Sequence, residues 1–151
     1  MSDRRRRLAE ARLYVVGGAR GAGGRLADII PSLAASGVDI VQLRERGLDE
    51  EALLEEARAC AAAARRAGIL FIVNDFPELA RACAADGVHI GQGDGSVAAA
   101  RALLGPDRIV GRSTRGGEML DRAAAEGADY ASVGPVWATP TKPGQIGRAH
   151  V

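Results

Sequence analysis

Large rings are scarce in this chain: one Trp, two Tyr and two Phe account for 3% of its 151 residues, while 47% are apolar. A core with so few aromatics has to be filled by Ala, Val, Leu and Ile, which suits the close helix–strand contacts of an α/β protein. Long apolar runs are missing as well. No stretch approaches the ~20 apolar residues of a membrane-spanning helix, and the N-terminus lacks the apolar centre of a secretory signal. A cytoplasmic protein with no membrane partner is therefore expected. Neither sign of charge dominates, since 20 Lys and Arg face 19 Asp and Glu for a net charge of +1. Without a basic, aromatic-bearing surface, no nucleic-acid partner is expected. Cysteine is limited to Cys60 and Cys83, which lie in Ala-rich segments with no CxxC partner and no His at metal spacing. These predict two buried free thiols.

What the chain does contain is an alternation of short runs rich in β-branched residues with longer Ala-rich segments, at a length suited to one domain. The pattern predicts strands at 13–16, 38–43, 69–73, 87–90, 108–111 and 130–133, each short and mostly apolar as in a buried parallel sheet. Helices are predicted at 25–36, 49–67, 77–85, 97–104 and 117–126. Asp49 suits a helix N-cap, Pro77 a first helical turn, and Gly37, Gly68, Gly105 and Gly127 sit where helices should stop. Ahead of this alternation, residues 1–12 form a basic arm whose arginine run at 4–7 reads as a solvated terminus, with anion binding as the alternative.

Six β–α repeats fit either a doubly wound sheet or a (β/α)8 barrel, because both obey the same crossover rule. The position of polar residues separates the two. A doubly wound fold gathers ligand contacts near one switch point, whereas a barrel collects them from the carboxyl ends of many strands. Here five successive strands each end in a polar or Gly-rich cluster, so an incomplete (β/α)8 TIM barrel is expected.

The second strand ends in Gln42-Leu43-Arg44-Glu45-Arg46, whose guanidinium forks match phosphate oxygens, although a solvated loop would look similar. The third runs into Asn74-Asp75, a pair able to cap the next helix or to hold a metal. The fourth ends in His89-Ile90-Gly91-Gln92-Gly93-Asp94 and supplies a second carboxylate from the neighbouring position. Two carboxylates on adjacent strand ends suit Mg²⁺, with phosphate oxygens and water completing the octahedron, so a diphosphate substrate is implied. His89 reads either as a hydrogen-bonded structural residue or as an inward-pointing catalyst. The fifth strand leads into Gly111-Arg112-Ser113-Thr114, a hydroxyl-bearing turn for phosphate binding or for helix capping. After the sixth, Thr139, Pro140, Thr141 and Lys142 lie in a proline-stiffened loop that reads as a preorganised anion site.

Taken in order, Gln-Leu-Arg-Glu-Arg at 42–46, Asn74-Asp75, the 87–94 stretch, Gly-Arg-Ser-Thr at 111–114 and the 134–142 loop resemble the thiamine-phosphate synthase family over about 13–144. The resemblance implies a transferase of thiamine biosynthesis. Such an enzyme joins 4-amino-2-methyl-5-(diphosphooxymethyl)pyrimidine to a thiazole phosphate, giving thiamine phosphate and pyrophosphate. It implies Asp75 and Asp94 as Mg²⁺ ligands, and Gln42, Leu43, Arg44, Glu45, Arg46, Asn74, Ser113 and Lys142 as pyrimidine-diphosphate contacts. Thr139, Pro140 and Thr141 would meet the thiazole phosphate, while Arg46, Ser113 and Lys142 would serve the chemistry itself. Arg46 stands where the family usually has Lys. Residues 13–144 then form a partial barrel domain of about six β–α units, and 145–151 break the family pattern as a non-native tail. A barrel of six units is expected to be weak or inactive on its own, and a homo-oligomer is admitted. The alternatives are a thiazole tautomerase-like barrel and a non-catalytic phosphate-ligand binding fragment.

Overall fold

The computed structural model describes residues 2–135. Along the chain run α1 (Asp3–Glu10), β1 (Tyr14–Gly17), β2 (Arg20–Gly21), β3 (Gly24–Arg25), α2 (Leu26–Ala35), β4 (Ile40–Leu43) and α3 (Glu50–Ala67). Then follow β5 (Leu70–Asn74), α4 (Pro77–Ala82), β6 (Gly87–Ile90), α5 (Val97–Leu104), β7 (Ile109–Thr114), α6 (Gly117–Ala125) and β8 (Tyr130–Val133). Six strands form one parallel sheet in the order β1-β4-β5-β6-β7-β8, and β2 with β3 makes a small antiparallel hairpin. Because each new strand of the main sheet is added beside the last, there is no reversal of strand order and no switch point. The doubly wound alternative is thereby excluded.

Curvature follows from one contact. In a flat sheet, five spacings of ~4.8 Å would hold β1 and β8 roughly 24 Å apart, yet the hydroxyls of Tyr14 and Tyr130 lie 2.7 Å from each other. The sheet therefore curls as the wall of a barrel does. Alternation along the strands then sorts the side chains into two cores. Val41, Leu43, Phe71, Val73, Val88, Ile90 and Val110 face outward against the helices. Ile40, Leu70, Ile72 and Ile109 fill the inside together with the two tyrosine rings, and Leu8 and Ala11 close over them. No helix among the described residues is long and apolar enough to cross a membrane.

The punctuation acts as its residue types suggest. Asp49 accepts from the Ala52 N–H at 2.9 Å, Pro77 opens α4, and Gly68 ends α3 in the left-handed region at φ 74°. Cys60 and Cys83 are buried and free, and burial pushes the Cys60 thiol up to about 12.

Two expectations need correction, and a third feature was not expected at all. The arginine-rich start is not a solvated terminus. It is α1, capped by Ser2 and bonded to the strand ends, with Arg4 to Asp86 at 2.8 Å and Arg5 to Asp129 at 2.6 Å. Second, β7 continues three residues past 111, because Arg112, Ser113 and Thr114 stay in register with Ala131, Ser132 and Val133 of β8. Ser113 and Thr114 are thus strand residues, not a turn or a helix cap; the N-cap of α6 is Gly116, and no side chain caps that helix. Third, the two-residue strands β2 and β3 were too short to leave a periodic signal.

Candidate active site

The carboxyl ends of β4, β5, β6 and β7 carry most of the predicted polar residues. The turn after β5 places Asp75 in the left-handed region, φ 65°, an uncommon conformation for a residue with a side chain. Its backbone N–H donates to His89 O at 2.8 Å, which ties the turn to β6. From the loop after β6, Asp94 comes up beside the Asp75 carboxyl, and an oxygen of each lies next to Gly91. Burial, then the hydrogen bond and charge of Asp94, push the Asp75 carboxyl above the usual carboxylate range, with Arg46 and the Gly91 N–H acting the other way. Gly91 makes the apposition feasible, since a Cβ there would run into the Asp94 carboxylate. The capping alternative for Asn74-Asp75 fails: the N-cap of α4 is Phe76, and no side chain caps that helix.

Arg46 stands above this pair, its Nη2 3.9 Å from Asp75 Oδ2 and its side chain 71% exposed, so most of its donors face solvent. A cleft of about 850 Å³ opens beside these groups, with Glu45, Arg46, Leu48, Asp75, Phe76 and Asp94 among its walls. Among the described residues no cluster of three or more His, Cys, Asp or Glu gathers here, so Asp75 and Asp94 are the two side chains that could hold a divalent cation, with Arg46 above them able to meet an anion.

Beneath the carboxylates, polar side chains span the barrel interior. Gln42 Nε2 donates to Tyr14 Oη at 2.7 Å, Tyr14 Oη pairs with Tyr130 Oη at 2.7 Å, and Tyr130 Oη lies 3.0 Å from His89 Nδ1. His89 Nε2 lies 2.8 Å from Ser113 Oγ, which also accepts from Ser132 Oγ at 3.5 Å. Burial raises both phenols, most strongly Tyr130, so each remains a neutral donor near neutral pH. His89 is therefore at once inward-pointing and hydrogen-bonded. Asn74 ends β5 on the same interior side, opposite His89 in register.

Other predicted residues take different places. The Leu43 side chain is buried in the outer core, leaving only its main chain toward the strand end. Arg44 is exposed, and its N–H donates to Gly17 O at 2.8 Å. The Glu45 carboxylate accepts from three backbone N–H groups. Thr139, Pro140, Thr141 and Lys142 lie outside the described residues.

Reading by motif missed Tyr14 and Tyr130, although they are the only tyrosines of the chain. Their inward direction depends on the register of β1 with β4 and of β8 with β7, which no local motif carries. Arg112, part of the 111–114 motif but given no role of its own there, donates to Gly95 O at 2.6 Å and so braces the loop that bears Asp94.

Comparison with known proteins gives this arrangement its relatives. The family described as thiamine monophosphate synthase matches residues 13–150. A thiamine-phosphate synthase of Streptomyces avermitilis is 48% identical over 142 residues, covering 93% of this chain and 66% of that protein. One from Thermosynechococcus vestitus is 46% identical over 145 residues, covering 96% of this chain and 40% of that protein. Among solved structures, a thiamine phosphate pyrophosphorylase from Pyrococcus furiosus superposes with a TM-score of 0.77 at 27% identity, covering 89% of this chain and 64% of that one. The chain thus spans about two thirds or less of the length of these relatives. With the strand-end motifs, the barrel wall and the matched length all in agreement, the chain belongs to the thiamine monophosphate synthase family.

Proposed function

We propose that these residues serve a thiamine-phosphate synthase, a cytoplasmic transferase that joins 4-amino-2-methyl-5-(diphosphooxymethyl)pyrimidine to a thiazole phosphate and releases pyrophosphate. The observation that carries this reading is the apposition of Asp75 and Asp94 under Arg46, at the mouth of a polar barrel interior. An anion alone would be repelled there by two carboxylates, so the donor set fits a diphosphate accompanied by Mg²⁺. Asp75 and Asp94 would hold the ion, which when bound neutralises diphosphate oxygens as a Lewis acid.

The residues of the chain then have separate tasks. Arg46, with Arg44 beside it, offers forked donors to the phosphoryl oxygens on which negative charge grows as the bond breaks. The interior row from Gln42 to Ser113 offers hydrogen-bond donors and acceptors to a polar ring, and Asn74 adds an amide at the same level. In the reaction, the methylene C–O bond breaks with its electron pair leaving on pyrophosphate. The thiazole nitrogen lone pair then forms the new C–N bond to the pyrimidine cation, so no protein nucleophile is required. Lys142, Thr139, Pro140 and Thr141 keep their proposed phosphate contacts on the strength of the sequence motif alone.

The test is pyrophosphate release from the two substrates, with and without Mg²⁺, by this chain and by the same residues within a protein of its relatives' full length. Mg²⁺-dependent release that Asp75→Ala or Asp94→Ala abolishes is the expected result. Phosphate binding without coupling in the full-length form would replace the synthase reading with a binding or isomerase role.

A further inference from the structure

A carboxylate between two arginines is out of place in a loop that faces a diphosphate, because it repels the ligand the arginines attract. Glu45 occupies that position, yet its oxygens are turned back into the protein. Oε1 accepts from the N–H groups of Arg46 and Gly47, both at 2.8 Å. Oε2 accepts from the N–H of Ala19 at 2.9 Å, across 26 residues of sequence. Ala19 is fully buried and its carbonyl accepts from Leu26 N–H at 2.9 Å, so it anchors the base of the β2–β3 hairpin. The site has the shape of the carboxylate as well: a Cβ on Gly18 would lie 3.2 Å from Oε2. The three amides, led by that of Gly47, hold the Glu45 carboxyl below the usual carboxylate range, so it is ionised near neutral pH.

From this geometry we infer that Glu45 is a positioning residue which clasps the 44–47 loop to the β1 end and so roots Arg44 and Arg46 at the anion site, without touching the ligand. The inference rests on the proposed diphosphate reading of that site. A long, mostly exposed side chain such as Arg46 loses conformational freedom on binding, and a rigid root reduces what remains to be ordered. Glutamine in place of Glu45 keeps the length but has one oxygen for three donors, so at least one amide is left without its acceptor.

The test compares wild type with Glu45→Gln, using Mg²⁺ with pyrophosphate as the probe in calorimetry and amide hydrogen exchange at Ala19, Arg46 and Gly47 as the second readout. The expected result is faster exchange at these amides, an unchanged far-UV spectrum, and pyrophosphate affinity weakened about tenfold, as for loss of a charge-assisted hydrogen bond. Affinity equal to or tighter than wild type, with the amides released, would overturn the positioning role. The diphosphate reading fails separately: in that case the wild-type protein itself does not bind pyrophosphate with Mg²⁺, or the full-length form binds it and never couples the substrates.

Discussion

Tyr14 and Tyr130 sit at the first positions of the two strands farthest apart in the sheet, and their hydroxyls link Gln42 on one side to His89 on the other. Removing one oxygen therefore costs more than one bond. In Tyr14→Phe the buried Gln42 amide loses its acceptor, and a loss of about 1–3 kcal/mol is expected from urea denaturation. Tyr130→Phe should cost a similar amount, and the double variant less than the sum, because the two phenols share a hydrogen bond. Strict additivity would show that the interior row is a set of independent pairs. At the carboxylates, Gly91→Ala drives a Cβ into Asp94. The expected outcome is a protein with near wild-type stability in the absence of metal whose melting temperature no longer rises with Mg²⁺. A retained Mg²⁺ shift would remove Asp94 from the ligand set.

At the scale of elements, three of the four arginines of α1 bond to the barrel: Arg4 to Asp86, Arg5 to Asp129 and Arg7 to Gly68 O. Arg5 donates to Asp129 at 2.6 Å and to Pro106 O at 2.6 Å, while the other Asp129 oxygen accepts from Val110 N–H at 2.7 Å and from Arg101 at 2.5 Å. The helix is thus bonded to the amino ends of β7 and β8 through one nearly buried carboxylate. Arg5→Ala is expected to cost about 1–3 kcal/mol, as for hydrogen bonds to charged groups. Arg6→Ala should change stability little, since Arg6 is 60% exposed and, among the described residues, pairs only with the equally open Asp3. Equal effects of the two substitutions would mean that α1 lies loosely on the barrel. The extra length of β7 matters at this scale too: were Ser113 in a turn, its hydroxyl could not lie 2.8 Å from His89 Nε2 inside the wall.

For the molecule as a whole, acid stability follows from the direction of its carboxyl shifts. Burial alone would raise Asp129, but the bonds from Arg5, Val110 and Arg101 outweigh it and hold it below the usual range. Backbone N–H groups hold Asp39 and Glu45 low as well. Groups lowered on folding stabilise the fold above their unfolded values of about 4 and lose that contribution as pH falls through the folded values. Asp75 acts oppositely, because its raised carboxyl gains a proton first and sheds repulsion. Stability is therefore expected to hold near neutral pH and to fall steeply below about pH 4, with Asp129→Asn lowering the plateau and flattening the acid limb in denaturation series. An acid limb unchanged in that variant would place the linkage elsewhere.

Much of this was legible in the order of residues. The alternation of β-branched and Ala-rich runs located all six wall strands, and Asp49, Pro77 and Gly68 marked helix ends, because propensity and capping act within a few residues. The same local logic put Arg46, Asp75, Asp94 and Ser113 near strand ends, where a barrel presents ligand-binding groups. Ser113 itself was misread as a turn residue, since the length of β7 depends on its partner β8 and not on β7 alone. The short β2–β3 hairpin and the docking of α1 escaped for a related reason: neither has a periodic pattern, and α1 is held by aspartates that sit 82 and 124 residues away in sequence. Only the tertiary structure turned Tyr14 toward Tyr130 across 116 residues, joined Asp75 to Asp94, and closed Glu45 onto Ala19. What the sequence by itself determined was the elements and their polar ends, through short-range backbone and solvation preferences. Which of those ends meet was decided by the curl of the parallel sheet, because register and curvature depend on every strand pairing at once.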